Sequence, residues 1–189
     1  MFSIGLLLFL LKNEKCHSKY HKNSLFVAGL SYFYDLEKVF DSMVNMKILL
    51  VSDSHGDYLA LDKLANKYPN MDLYLHAGDS EQDEFFIKPF ISVRGNCDHY
   101  YDFPNFLVIP SPVGNIYVQH TPYISKSVIS EHNAKIVIHG HTHTRKNERK
   151  DGILWINPGA ISYARDKYDG SYAIINIENN QVEVKFYTI

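Results

Sequence analysis

The chain has 189 residues, 46% hydrophobic and 21% charged, which is ordinary for a folded globular protein and excludes an intrinsically disordered one. Its 19 basic and 21 acidic side chains give a formal net charge of -2, so no overall attraction to nucleic acid or an anionic membrane is expected. The two cysteines, Cys16 and Cys97, exclude a disulfide framework and favour a reducing, cytoplasmic setting.

The first 45 residues differ in pattern from the rest of the chain. Phe2 to Leu11 form an apolar run that is shorter than the roughly 20 residues needed to span a bilayer. A signal peptide is disfavoured because the positive charges follow this run instead of preceding it. We therefore interpret residues 1–45 as an extension outside the domain, residues 46–189 as the domain, and Met46 as the native start. The alternative is a real extension whose apolar segments pack on the domain or on a membrane surface.

The first half of the domain alternates between strand and helix signals. Lys47 to Val51 is predicted to be a strand buried on both faces, because Ile48 to Val51 leave no polar side. Asp57 is predicted to cap a helix that runs to about Tyr68. Two further strands are predicted at Asp72 to Ala77 and Ile91 to Val93, so this half consists of parallel β-α units.

The second half contains one more β-α unit and three predicted hairpins. A turn at Pro110 to Asn115 joins strands at 106–109 and 116–119, and a helix near 125–133 leads into a buried strand at 135–138. From Thr144 onward the pattern is antiparallel. Asp151-Gly152 predicts a turn between strands 145–150 and 153–156, and Asn179-Asn180 predicts one between 172–177 and 182–187. The whole pattern predicts one α/β domain built from two sheets.

Side chains that can bind a metal follow the predicted strands. They are Asp53, His55, Asp79, Asn96, His120, His141 and His143. The carboxyl ends of strands in an open α/β sheet share one edge, so these side chains are expected to converge. Their mixture of oxygen and imidazole donors suits Mn, Fe, Zn or Co, and four histidines argue against Mg or Ca alone. Seven ligands exceed one site, which predicts two ions that share a bridging carboxylate, and Asp79 is our choice for it.

In order and spacing these residues resemble the motifs of the calcineurin-like metallophosphoesterases. The motifs are D-x-H at Asp53 and His55, G-D at Gly78 and Asp79, G-N-x-D at Gly95 to Asp98, a single His120, and G-H-x-H at Gly140 to His143. The resemblance covers residues 46–189. Within the family it is greatest to the small bacterial and archaeal phosphodiesterases, which also carry a G-N-C-D form and an N-P-G loop, here Asn157-Pro158-Gly159.

The resemblance implies a four-layer αββα sandwich of two mixed β-sheets flanked by helices. It implies that one ion is held by Asp53, His55, Asp79 and His143, and the other by Asp79, Asn96, His120 and His141. Manganese is our first choice of metal, with Fe, Zn, Co or Ni as alternatives. The implied reaction is hydrolysis of phosphodiesters, more than of phosphomonoesters, by a hydroxide that bridges both ions.

The implied partner is a small phosphate-ester substrate. Neither a stable nucleic-acid partner nor a membrane is expected for residues 46–189, and a homo-oligomer is left open. Arg145 is predicted to bind the substrate phosphate, with Arg165 as the alternative.

Cys97 stands where many relatives carry a histidine that acts as the proposed general acid. Asp98 is therefore a candidate acid or an orienting residue, and His99 or a metal-bound water are alternatives. Cys97 itself is expected to be inert packing.

A second hypothesis is a protein-interaction scaffold on the same fold, because a eukaryotic retromer subunit resembles this family and works mainly through interactions. A scaffold has no chemical need to keep every ligand. All seven positions hold ligating residue types here, so catalysis is favoured.

Overall fold

The computed structural model describes residues 45–99 and 102–189, which contain ten strands and three helices. The strands are β1 (Asn45–Val51), β2 (Leu73–His76), β3 (Ile91–Ser92), β4 (Phe106–Ile109), β5 (Asn115–Gln119), β6 (Ala134–Ile138), β7 (Arg145–Lys150), β8 (Ile153–Pro158), β9 (Ser171–Glu178) and β10 (Gln181–Thr188). The helices are α1 (Tyr58–Lys67), α2 (Glu84–Ile87) and α3 (Lys126–Glu131). The predicted extension, apart from Asn45, lies outside the described residues.

One sheet has the strand order β10-β9-β1-β2-β3. In it β1, β2 and β3 are parallel, whereas β9 runs antiparallel to both β1 and β10. The predicted burial of β1 on both faces is confirmed, because Ile48 to Val51 are all 0% exposed. Ile48 and Leu50 belong to the core cluster shared with the second sheet, and Leu49 and Val51 to the one shared with the helices.

The other sheet has the strand order β4-β5-β6-β8-β7, with a parallel centre and two antiparallel edge strands.

The predicted turns are confirmed. Asp151 and Gly152 have φ of 51° and 79°, and Asn179 and Asn180 have 52° and 60°. Positive φ at both central residues matches the right-handed twist of the flanking strands, which is why these residue types form two-residue hairpin turns.

The two sheets face each other and helices cover their outer faces. Apolar side chains from both sheets form the central core cluster. Helix α1, capped by Asp57 as predicted, packs Ala60, Leu61 and Leu64 on the outside of the first sheet. Helix α3 packs Val128 and Ile129 on the outside of the second. The predicted four-layer αββα sandwich of two mixed sheets is confirmed.

Two features of the fold differ from the predictions. The short helix α2 was not predicted, because its 4 residues are too few to show helical periodicity. The antiparallel pattern expected from Thr144 onward describes both hairpins, but β8 pairs parallel with β6, because a turn signal fixes only the pairing across that turn. Among the described residues, no helix is long and apolar enough to cross a membrane.

Candidate metal centre

The seven predicted ligands lie together where the strands end. Asp53 and His55 follow β1, Asp79 follows β2, Asn96 follows β3, His120 follows β5, and His141 and His143 follow β6. Backbone hydrogen bonds tie these segments to one another. The N–H of Asp53 donates to Gly78 O at 3.0 Å, and the N–H of Gly140 donates to His120 O at 2.9 Å. Both sheets therefore contribute to one cluster.

Several of these residues have a left-handed backbone. The φ angles are 53° at Asp53, 45° at His55, 57° at Asp79, 67° at His141 and 55° at His143. This region costs a residue with a side chain roughly 1–3 kcal/mol, although Asp and His adopt it more readily than most. Sharp turns of this kind redirect the chain directly after each strand. They allow side chains only two positions apart to point at one place.

Glycines allow the backbone segments to approach closely. A Cβ on Gly95 would lie 2.0 Å from Asp79 Oδ1, and one on Gly140 would lie 1.9 Å from Ser52 Oγ. Real Cβ atoms do not approach other atoms so closely. The glycines of the G-N-x-D and G-H-x-H motifs are thus required for space around the carboxylates of Asp79 and Asp53.

Asp53, His55 and His143 form one group whose ligand atoms all lie within 4.8 Å of each other. His143 Nδ1 lies 2.8 Å from the carbonyl oxygen of Tyr163, which can only accept, and His55 Nδ1 lies 2.5 Å from Glu81 Oε1. Each Nδ1 therefore carries a hydrogen. In the neutral tautomer the two Nε2 atoms present lone pairs to each other across 3.4 Å. A cation between them would relieve that contact.

Asp53, Asp79 and His120 form a second group, whose ligand atoms also lie within 4.8 Å of one another. His120 Nδ1 lies 2.8 Å from Ala77 O, and its Nε2 lies 3.2 Å from Asp79 Oδ2. Asn96 extends this group, because its Oδ1 lies 3.1 Å from His120 Nε2 and 2.8 Å from His141 Nδ1. The carboxylate common to the two groups of the described residues is Asp53, whereas the family resemblance implies Asp79 as the shared ligand.

Asp53 provides the clearest sign that the cluster fits a metal. Its side chain is 0% exposed, and Oδ2 accepts from Ser52 Oγ at 2.5 Å and from the N–H of His141 at 3.1 Å. Oδ1 is buried without a hydrogen bond of good geometry. Buried carboxylate oxygens are normally satisfied, and a bound cation is one partner that would satisfy this one. The donor set around it is that of a transition-metal site.

The charge state of the cluster affects metal binding, because protons and metal ions compete for the same donor atoms. Burial alone would raise the pKa of Asp79, but the contact with His120 and the N–H of Cys97 outweigh it and lower the pKa to about 2. Burial likewise opposes the lowered pKa of Asp53, which the His143 contact and the charge of His120 produce. The contact with Asp53 raises the pKa of His143. Both carboxylates thus stay ionised and available as ligands at neutral pH.

Asp98, a predicted catalytic residue, is 0% exposed. Its Oδ2 accepts from the backbone N–H groups of Asp79 at 2.9 Å and Gly95 at 2.8 Å, and its Oδ1 from that of Glu81 at 2.7 Å. The hydroxyl of Ser80 donates to Oδ1 as well, at 3.2 Å. Because both oxygens are used in holding the backbone beside Asp79, the geometry favours the orienting role over that of an acid.

A cavity of about 240 Å³ opens over the cluster and is lined by His55, Asp79, Asn96, Cys97, His141, His143, Tyr163 and Arg165. Arg145, the predicted phosphate-binding residue, is not among its lining residues. Its Nε donates to Asp166 Oδ2 at 2.9 Å and its guanidinium lies 3.3 Å from the centroid of the Tyr168 ring. Arg165, the alternative, is among the lining residues.

Two further contributors were not predicted from the sequence. Glu81 holds His55, and the backbone carbonyl of Tyr163 holds His143. The only sequence signal for Glu81 was an acidic residue two positions after Asp79, which repeats the spacing of Asp53 and His55. A backbone carbonyl leaves no signal in side-chain identity. Cys97, expected to be inert packing, is half-buried in the cavity wall.

Known proteins resemble this chain in sequence and in fold. The chain is 34% identical over 153 residues to the probable metallophosphoesterase YsnB of Bacillus subtilis strain 168, which covers 75% of this chain and 90% of YsnB. A crystal structure of a predicted phosphoesterase from Streptococcus pneumoniae TIGR4 aligns with a TM-score of 0.70 and 29% identity, over 77% of this chain and 90% of that one. An archaeal phosphodiesterase shares the fold, with a TM-score of 0.57 and 24% identity over 75% of this chain and 100% of that one.

The sequence model of the calcineurin-like phosphoesterase superfamily domain matches residues 46–180, a stretch that contains every proposed ligand. The match, the αββα fold and the curated relative all agree with the resemblance drawn from the motifs. The chain therefore belongs to the calcineurin-like phosphoesterase superfamily and is a metal-dependent phosphoesterase.

Proposed function

We propose that the chain hydrolyses phosphodiesters, in preference to phosphomonoesters, with two divalent metal ions held by the seven clustered side chains. The observation that carries the proposal is the buried Oδ1 of Asp53, which lacks a hydrogen bond of good geometry and lies 3.2 Å from His143 Nε2 and 4.0 Å from His120 Nε2. Manganese remains our first choice, because oxygen and imidazole donors without thiolate suit it.

Asp53, His55, Asp79 and His143 would hold one ion, and Asp79, Asn96, His120 and His141 the other, as the family resemblance implies. When bound, the ions lower the pKa of a shared water and neutralise charge on the phosphoryl oxygens. Asp79 is the proposed bridge. Asp53, which lies near both histidine groups, is the alternative bridge.

The hydrogen bonds behind the ligands fix their orientation. The carbonyl oxygens of Ala77 and Tyr163 and the carboxylate of Glu81 each accept from an Nδ1, so that the Nε2 atoms of His120, His143 and His55 face inward. Partners of this kind prepare the imidazoles in the ligating tautomer. The ring orientations therefore do not have to be selected when a metal binds.

The lining of the cavity supports the choice of substrate. Arg165 and Tyr163 are both among the lining residues. One guanidinium matches the single negative charge of a phosphodiester and can donate two parallel hydrogen bonds to its phosphoryl oxygens. We propose Arg165 as the residue that orients the phosphate. A small phosphate ester suits a cavity of about 240 Å³ better than a nucleic-acid duplex.

The test compares hydrolysis of bis-p-nitrophenyl phosphate with that of p-nitrophenyl phosphate in saturating Mn²⁺. We expect the diester to be the better substrate, and we expect Asp79→Asn to abolish turnover of both. Asp83→Asn is the matched control, because Asp83 caps α2 on the surface through the N–H of Phe85. Wild-type turnover by Asp79→Asn with bound metal would refute the bridging role.

A protein-interaction scaffold is the alternative, and metal content separates the two. Elemental analysis of a phosphodiesterase should give about two ions per chain, and fewer in Asp79→Asn. A scaffold that has lost the chemistry should bind almost none under saturating Mn²⁺. The convergence of all seven side chains favours the enzyme.

We also propose that residues 46–189 carry the activity by themselves, because every proposed site residue lies within them. A chain that begins at Met46 should keep the kcat/KM of the full chain. A large loss would show that the preceding residues contribute to the site. The cytoplasmic setting stays a prediction from the sequence.

A further inference from the structure

A second set of ligating side chains lies beside the proposed centre. Glu81, Cys97 and His55 each offer one donor atom, and these three atoms all lie within 4.8 Å of one another. The three side chains are partly exposed, and Cys97 and His55 line the cavity. His55 faces both sets, because its Nε2 is directed at His143 and its Nδ1 at Glu81. The set of Glu81, Cys97 and His55 Nδ1 is called the outer triad below.

We propose that the outer triad is a third cation site, which takes a thiophilic divalent ion such as Zn²⁺ or Cd²⁺. Zinc binds thiolate at about 2.3 Å, and imidazole and carboxylate at about 2.0–2.2 Å, so tetrahedral ligands are separated by roughly 3.4–3.6 Å. The donor atoms already lie within 4.8 Å of one another, close to that spacing. Three protein ligands with one open position is a common zinc arrangement.

The chemistry of the outer triad separates it from the proposed two-metal centre. The centre offers oxygen and imidazole donors, whereas the triad adds a thiolate, the donor that soft metals prefer over Mn²⁺. Two carboxylates lie beside Cys97: Asp79 Oδ1 accepts from its N–H at 2.7 Å, and Glu81 belongs to the triad itself. Their negative field favours a cation at this position. Binding would release the thiol proton of Cys97 and the Nδ1 proton of His55, while Glu81 binds as the carboxylate.

Occupation of the outer triad would inhibit the enzyme, an effect that rests on the proposed function. An ion on Cys97 would lie in the wall of the same cavity that Arg165 lines, where the substrate is proposed to bind. It would also take Glu81 from its 2.5 Å contact with His55 Nδ1, the contact that orients one ligand of the centre. The site therefore makes the activity sensitive to thiophilic metals at concentrations that leave Mn²⁺ bound.

The experiment titrates Cd²⁺ into the full chain already loaded with Mn²⁺. We expect a near-ultraviolet thiolate-to-cadmium absorption band that saturates at one Cd²⁺ per chain, and loss of diester hydrolysis over the same range. Cys97→Ser should lose the band and need at least tenfold more Cd²⁺ for inhibition. Cys16→Ser is the matched control and should keep both effects. Glu81→Gln should weaken Cd²⁺ binding by about tenfold, the usual effect of removing a metal-site partner.

The proposal is overturned if wild type shows no band, if the band survives in Cys97→Ser, or if Glu81→Gln binds Cd²⁺ as tightly as wild type. The band is read without substrate, so its outcome is independent of the proposed function. A Cys97-dependent band in a chain that hydrolyses no phosphoester would support the third site and refute the proposed function. A chain that hydrolyses phosphodiesters but shows no band would support the proposed function and refute the third site.

Discussion

Replacement of Asp98 by asparagine tests whether this residue orients the site or donates a proton. The carboxylate is 0% exposed and accepts four hydrogen bonds. Two backbone N–H groups, of Asp79 and Gly95, donate to Oδ2. The N–H of Glu81 and the hydroxyl of Ser80 donate to Oδ1. An asparagine keeps the shape of the side chain but turns one acceptor into a donor.

The loss of stability depends on which of the two carboxylate oxygens of Asp98 is replaced by the NH₂ group. Toward Asp79 and Gly95 it would face two N–H groups that cannot reverse. On the other side the hydroxyl of Ser80 can rotate and accept, so only the N–H of Glu81 loses its partner. A buried N–H without a partner costs roughly 1–3 kcal/mol. We expect Asp98→Asn to lower the free energy of unfolding by about 2 kcal/mol, which for a chain of this size lowers Tm by about 4–8 °C.

The effect on activity should come through the metal. Asp98 positions the backbone of Asp79, so Mn²⁺ affinity should fall by about 10–100-fold, the usual range for partners that orient ligands. Saturating Mn²⁺ should then restore most of kcat. Thermal unfolding gives the change in Tm, and kcat measured against Mn²⁺ concentration gives the change in affinity.

Asp83→Asn is the control for the same chemical change on the surface. Asn and Asp cap helices about equally well, so this variant should change the free energy of unfolding by a few tenths of a kcal/mol at most. The orienting role would be refuted if Asp98→Asn kept the wild-type Tm and Mn²⁺ affinity while kcat fell at least a hundredfold at saturating Mn²⁺. That result would identify Asp98 as the acid.

Three other predictions test separate parts of the structure. Gly140→Ala would place a Cβ 1.9 Å from Ser52 Oγ, and we expect at least a hundredfold loss of kcat/KM with reduced metal content; full activity would contradict the close approach. Arg165→Met should raise KM for the diester about tenfold at unchanged metal content. Arg145→Met should lower Tm and leave KM for the diester unchanged. Burial lowers the pKa of His76 to about 4, so between pH 7 and pH 5 the unfolded chain takes up a proton that the folded one does not. Urea unfolding should show that wild type loses about 2 kcal/mol more stability over that window than His76→Gln does, and equal pH slopes would refute the assignment.

The sequence was sufficient for much of the fold because the relevant signals are local. Two-residue turns such as Asp151-Gly152 need positive φ, which Asp, Asn and Gly tolerate, so the hairpins could be placed from the sequence alone. The unbroken apolar run Ile48 to Val51 is typical of a strand covered on both faces. The position of β8 beside β6 could not be predicted, because the pairing of two separate strands depends on the whole sheet.

The sequence determined which seven side chains are available as metal ligands, because their residue types and their places after strands are local properties. Only the tertiary structure decided how they are oriented. The left-handed backbone at Asp53 and His143, the buried Oδ1 of Asp53 and the Nδ1 contacts that set each imidazole all depend on segments far apart in the chain. Arg145 pairs with Asp166, whereas Arg165 lines the cavity. A partner of this kind is set by packing in three dimensions, and a single sequence carries no signal for it.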